Sequence, residues 1–333
     1  MSDWKSVLNS DPIKWLLEAD NPSVRYFTLT DILERPENDR EVRKAKKEIM
    51  ETGIVPKILA KQKAGCYWEK PEDFYIRTKY KGTVWQLIIL AELGADGKDE
   101  RIEKACEFIL EYSQDRISGG FSYLGTKNGG GFHSKVIPCL TGNMIWSLIR
   151  FGYLSDPRIH KGIDWIVKYQ RFDDGLKEAP KGWPYDKAEN CWGKHTCHMG
   201  IVKALKALAE IPDDKRSENI KNRIEKGAEY ILSHNIYKRS HDLSQVSKPG
   251  WLRFGFPNMA NTDALEILGI MAKLGYKDRR MQVAINLVRS KQDKNGKWML
   301  EHTYNGRFQV NIEQKGEPSK WITLNALKIL KKL

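Results

Sequence analysis

The chain has 333 residues, 41% of them hydrophobic, and a formal net charge of +13, which is enough apolar material for a large core and too much for a disordered chain. No stretch approaches ~20 uninterrupted apolar residues and no charged leader runs into an apolar segment, so neither a membrane span nor secretion is expected, and the chain reads as cytoplasmic. Its five cysteines (Cys66, Cys106, Cys139, Cys191, Cys197) are odd in number and widely spread, which argues against a disulfide framework and leaves thiols for packing, metal binding or catalysis.

The first ~50 residues read as a helical hairpin, "DNPSVRYFTLTDIL" followed by the basic "REVRKAKKEI", whose charges suit a solvated helix face. From residue 54 onward a unit recurs: an amphipathic helix, a loop with Gly beside an aromatic, and a second, more apolar helix. The first helices end at Gln62, Gln114, Gln170, Asn235 and Gln292, with spacings of 52, 56, 65 and 57 residues. The loops carry "GCYW", "GGF", "DDG" with "GW", "GW" and "NGKW", and apolar helices are predicted over 83–93, 141–151, 196–208, 262–274 and 321–331. Such pairs cannot bury their apolar faces singly and must stack on their neighbours, with the apolar helix inside. All the long loops fall between first and second helix, so they emerge on one face, where the inner helices begin.

The repeated Gln followed by Gly-aromatic ("QDKNGKW", "YQRFDDG…GW") resembles the repeats of the α/α-toroid superfamily, which includes squalene and other terpenoid cyclases and the β subunits of protein prenyltransferases. The resemblance implies an all-α fold, an α/α toroid of about five hairpins over residues 54–333. Residues 1–53 resemble a HEAT-type hairpin that would form an N-terminal helical cap, or serve as a plain packing pair.

"NCWGKHTCHMG", residues 190–200, opens the third inner helix. It resembles the "YHTCY"-like stretch of prenyltransferase β subunits, in which the His binds zinc and a Cys at the preceding inner helix is a second ligand. By that resemblance His195 and Cys139 are counterparts, while the family's Asp is replaced by Ile137, so the third ligand of a Zn2+ site would have to be Cys191, giving Cys139, Cys191 and His195, or else Asp263. The same residues allow a thiol at a helix N-terminus with His195 or His198 as base, or plain packing of small apolar cysteines; Cys66 and Cys106 read as packing. His195, Cys191 and Asp263 are therefore the candidate catalytic residues. The cyclase branch uses the middle Asp of an Asp-x-Asp-Asp motif as general acid; the nearest stretch here, Arg171-Phe172-Asp173-Asp174, lacks the first Asp and falls in a repeat loop.

Basic and aromatic residues recur at the inner-helix entrances: Arg77, Lys79 and Tyr80, Trp251 and Arg253, Arg307, and Lys320 with Trp321. Converging on one cavity, they would bind an anionic or lipid-like organic substrate. The leading expectation is thus a toroid enzyme of the terpenoid cyclase/prenyltransferase type. The alternatives are a non-catalytic ligand- or peptide-binding toroid, and a carbohydrate-active (α/α) barrel, which needs paired carboxylates. No nucleic-acid-binding signature accompanies the positive charge, and no feature identifies a protein partner.

Overall fold

The computed structural model describes residues 4–77 and 79–333. Among them the chain is predominantly helical. The β-structure amounts to two short antiparallel pairs, Lys238–Arg239 with Asp242–Val246 and Trp298–Met299 with Pro318–Ser319, and no closed sheet. Twelve helices carry the architecture and are labelled here in chain order. Near the N-terminus are α1 (Pro22–Phe27), α2 (Arg40–Glu51) and α3 (Ile54–Leu59). Apolar helices α4 (Thr83–Glu92), α6 (Pro138–Arg150), α8 (His198–Glu210), α10 (Ala264–Lys273) and α12 (Lys320–Lys332) alternate with amphipathic α5 (Glu100–Tyr112), α7 (Pro157–Tyr169), α9 (Glu218–Ser233) and α11 (Gln282–Ser290).

The alternation sets the layering. Nearly every residue of α4, α6, α8 and α12 is buried, whereas α5, α7, α9 and α11 bury one stripe, as expected of an inner and an outer layer. The apolar helices pack in succession, α4 on α6, α6 on α8, α8 on α10 and α10 on α12, and α12 packs on α1. The Phe27 ring of α1 lies so close to Gly94, just past α4, that a Cβ there would approach it to 2.8 Å. The succession thereby returns to its start, consistent with an α/α toroid in which α1 and α2 occupy the place of a sixth pair.

Two of the recurrent residues, Gln62 and Gln114, prove to be latches. Gln62 donates to the carbonyls of Cys66 and Arg101, and Gln114 to those of Gly119 and Arg158, so each ties its own loop to the first turn of the next outer helix. The loop aromatic is fixed at its backbone: the N–H of Trp68, Phe121 and Trp298 donates to the hydroxyl of Thr83, Thr141 and Thr323 in the first turn of the following inner helix. α5 and α7 start at an Asp cap whose partner Arg stands two residues on, Asp99 with Arg101 and Asp156 with Arg158, and Asp278 with Arg280 repeats the pair at the 3-10 turn before α11.

Candidate functional site

Charged residues embedded in the apolar inner helices have only the middle of the ring to face. Lys203 of α8 is fully buried and donates to both oxygens of Glu266 on α10 at 2.8 and 2.7 Å, and Lys206 bridges Glu266 to Glu92 at the end of α4. Burial works to raise the Glu266 pKa, but the two lysines overcome it and hold the carboxyl near 2. Burial lowers Lys203, against the pull of Glu266, while the two carboxylates outweigh burial at Lys206 and raise it. Toward the ends of the same helices Arg150 lies 3.6 Å from Glu210, which also accepts from Lys273 and, at 3.1 Å, from the Trp146 indole.

Apart from Lys203, which lies behind the wall, these groups line two cavities that share walls and together form one hollow. Its wide part, about 960 Å³, is bounded by α1, α2, the C-terminal ends of α4 and α6, and the face of α12 that carries Trp321, Asn325 and Lys328; Glu92, Trp146, Asn325 and Lys328 also wall an inner recess of about 220 Å³ that reaches Asp263. The wide part thus lies where α4 and α6 end, and the recess reaches the entrance of α10. Aromatic faces form one wall: Phe256 stacks on Trp321 at 4.2 Å with a 7° interplanar angle, the Lys206 ammonium stands 3.9 Å over Trp146, and the Arg150 guanidinium covers both Phe27 and Trp146.

Asp263 caps α10 from the recess. It accepts from the backbone N–H of Glu266 at 2.8 Å and of Gly255 at 2.9 Å. Burial outweighs these bonds and raises its pKa to about 6. Asp263 is therefore a carboxyl at the wall of a cavity whose hold on a proton is strengthened by burial, the kind of group that acid–base chemistry uses.

The zinc expectation is overturned. Among the described residues no group of three His, Cys, Asp or Glu side chains is placed to hold a metal ion. His195 is exposed and turned against Gly175, whose added Cβ would meet the ring at 2.8 Å. Cys139 instead hydrogen-bonds the Tyr75 hydroxyl in the interior, and burial pushes its thiol up to about 11; burial pushes Cys191 up to about 12. The cause is the short helix Glu189–Trp192 and the bend after it, which interrupt the continuous helix that would bring Cys191 and His195 to one face. His198, one step into α8, is buried with its Nδ1 3.2 Å from the Tyr230 hydroxyl, and Trp251 packs on it at 4.2 Å.

The basic-aromatic set is divided. Tyr80 stacks on Tyr304 at 4.2 Å under the Arg307 guanidinium, and exposed Arg77 and Lys79 flank it, Arg77 being 3.8 Å from Asp73. Arg253 is exposed on the loop face and adds positive charge beside His302, whose ring abuts Tyr304. Lys320 is buried outside the hollow, paired with Glu18 and Asp20. Of the eight residues expected at the substrate, the wide part of the hollow takes Trp321 alone. Arg171 and Asp173 pair with each other, and Arg171 also holds the carbonyls of Trp192 and Gly193, so that stretch braces its loop.

The residues that sequence reasoning missed are Glu92, Arg150, Lys203, Lys206, Glu210 and Glu266. Their signal was present: charges inside runs such as "IVKALKALAE" and "DALEILGIM", on helices apolar on all other faces.

No protein-family model matches the chain, and no curated protein does. Among solved structures it is similar to the type II terpene cyclase MstE from Scytonema, with a TM-score of 0.42 and 13% identity over 93% of this chain and 87% of that one. A substituted variant of that cyclase, in complex with geranylgeranyl dihydroxybenzoate, gives a TM-score of 0.41 and 14% identity over 94% and 87%. TM-scores of this size equate no site residue of the two chains. Among the described residues no helix is long and apolar enough to cross a membrane.

Proposed function

We propose that the chain is an α/α-toroid enzyme of the terpenoid cyclase/prenyltransferase kind in the broad sense, taking an amphiphilic organic anion into its central hollow. Arg150 and Lys328 would hold the anionic group near the mouth, Trp146, Phe256 and Trp321 the apolar part, and Asp263 would give or take the proton. The observation that carries this reading is Asp263: a buried carboxyl held near pKa 6 at the end of a recess. The Lys203–Glu266–Lys206–Glu92 network stays neutral as a set and stiffens the wall beside it.

The aromatic wall favours a ligand with a substantial apolar body. The paired-carboxylate chemistry of a carbohydrate-active barrel has weaker support, because Glu92 and Glu266 are both held by lysines. A non-catalytic binding toroid is the second reading. It is favoured by the fact that both Asp263 oxygens accept backbone N–H bonds, as a purely structural cap does.

Prenyl diphosphates and prenylated aromatic acids, titrated against tryptophan fluorescence with products followed by mass spectrometry, test both readings. On the enzyme reading, Asp263→Asn still binds but loses turnover by about 100-fold or more, while Arg150→Glu loses binding. Binding without turnover by the wild type supports the second reading, and ligand affinity indifferent to both Arg150→Glu and Trp146→Ala refutes the hollow as the site.

A further inference from the structure

On the outside of the ring, α9 and the loop after α7 enclose a groove of about 530 Å³ that shares no lining residue with the central hollow. Its floor is apolar: Phe172 lies over Gly227, where an added Cβ would meet the ring at 2.9 Å, and Tyr185 stands at its side with the Arg171 guanidinium against the ring. Glycine at 227 is what lets the phenyl ring bed down on the helix.

The charges around it do not balance once their partners are assigned. Two carboxylates of the groove face arginines, Asp173 with Arg171 and Glu229 with Arg280 through two bonds of 2.7 and 3.0 Å, while Asp174 hydrogen-bonds His234 and Ser240 and is the one carboxylate there without a Lys or Arg partner among the described residues, against three cations. The cations left over are Lys168 at the end of α7 and Arg223 and Lys226 on α9. None of the three has a carboxylate within 4 Å among the described residues. Arg223 and Lys226 are three residues apart, so they project from one face of the helix toward the same opening as Tyr230.

Three like charges held at one concavity repel each other, and the arrangement is relieved by a multivalent anion. A single carboxylate would satisfy one of them, whereas a phosphate offers several acceptor oxygens to a guanidinium fork and two ammonium groups at once. The apolar floor suits the organic part of the same molecule. We propose that this groove is a second binding site, for a small phosphorylated organic anion, formed by Lys168, Arg223 and Lys226 over Phe172.

Calorimetric titration of the full chain with inorganic pyrophosphate tests it, at low and at physiological salt. The expected result is saturable binding that the double reversal R223E/K226E weakens at least about tenfold, roughly 1.4 kcal/mol. The equally charged control K277E/K294E, on exposed lysines elsewhere, should change it by less than about twofold. Should the double reversal fail to fold, R223Q with K168Q replaces it, compared with the equally charged K277Q/K294Q. Absence of saturable binding to the wild type, or equal weakening by the control pair, overturns the proposal; the second result would mean that the net positive charge attracts anions diffusely. Because no residue of the central hollow is altered, turnover or binding there stands or falls separately.

Discussion

Asp263 is where burial and hydrogen bonding compete most directly. Its folded pKa of about 6 lies above the ordinary 3.8, so the folded state binds the proton more tightly than the unfolded chain. The stabilising contribution of the protonated carboxyl is fully present below the unfolded value and is lost as pH rises through 6. Two units correspond to roughly 3 kcal/mol. Asp263→Asn should therefore flatten the stability curve between about pH 4 and 6.5 relative to wild type. Chemical denaturation across that range checks it, and parallel curves for the two proteins would show that Asp263 does not titrate there. Glu266, held near 2 against an ordinary 4.5, works in the opposite sense: its contribution is present above 4.5 and lost as pH falls toward 2. Lys203→Met, which leaves Glu266 with Lys206 alone, should cost about 3–5 kcal/mol, read as a lowered denaturation midpoint at neutral pH. At this scale the sequence was only partly legible. Asp263 was readable as a residue at an inner-helix entrance, but its proton affinity depends on burial and on the opposing hydrogen bonds of Gly255 and Asn258, which arrive from a loop. His195 read as a ligand because of its neighbours in sequence, and the bend at Gly193 turned it outward.

Helices were legible because each apolar run had no other way to be buried. The inner helices begin within a few residues of the expected positions, and the outer ones end next to Gln62, Gln114, Gln170, Asn235 and Gln292. What periodicity did not reveal was the purpose of the glutamine, since a residue that ends one helix gives no hint that it binds the start of the next. The paired threonines at the inner-helix entrances were overlooked for the same reason: Thr141 is an ordinary residue until Phe121 donates to it across 20 residues. Gln114→Ala removes both donor bonds and leaves the Gly119 and Arg158 carbonyls with one partner fewer, so a loss of about 1–3 kcal/mol is expected. Hydrogen exchange should show it first as faster exchange at the start of α7, because Arg158 stands at that helix's first turn. Unchanged exchange there, with normal stability, would demote the latch to a surface contact. The loop between α7 and α8 resists this treatment. Its conformation is set by Arg171, which holds the Trp192 and Gly193 carbonyls, and by Trp183 stacked on His133 at 4.1 Å, contacts between distant segments.

Closure of the ring decides whether the N-terminal helices are an attached cap or part of the fold. The boundary near residue 53 followed from the reach of the repeat, which α1 and α2 lack in sequence. In space α1 meets both ends of the repeat series: Phe27 lies 6.2 Å from Trp321 on α12 and against Gly94 beyond α4, while Asp31 pairs with Lys328 at 2.7 Å. Without that seam, Trp321 and the wide part of the hollow would open sideways to water, exposing aromatic surface that the Phe256 stack alone cannot cover. Phe27 is 7% exposed, so Phe27→Ala should cost about 3–5 kcal/mol. If α1 and α2 belong to the cooperative unit, that loss lowers the midpoint of one transition reported alike by tryptophan fluorescence and far-UV circular dichroism. Two separated transitions, with the later one unmoved by Phe27→Ala, would instead make residues 54–333 a unit that folds on its own and reduce the first two helices to a cap. The same substitution distinguishes the cases functionally, because the hollow shares Phe27 and Trp321: a seam that is integral to the ring couples ligand affinity to the stability of the whole, and a detachable cap leaves the recess around Asp263 unchanged.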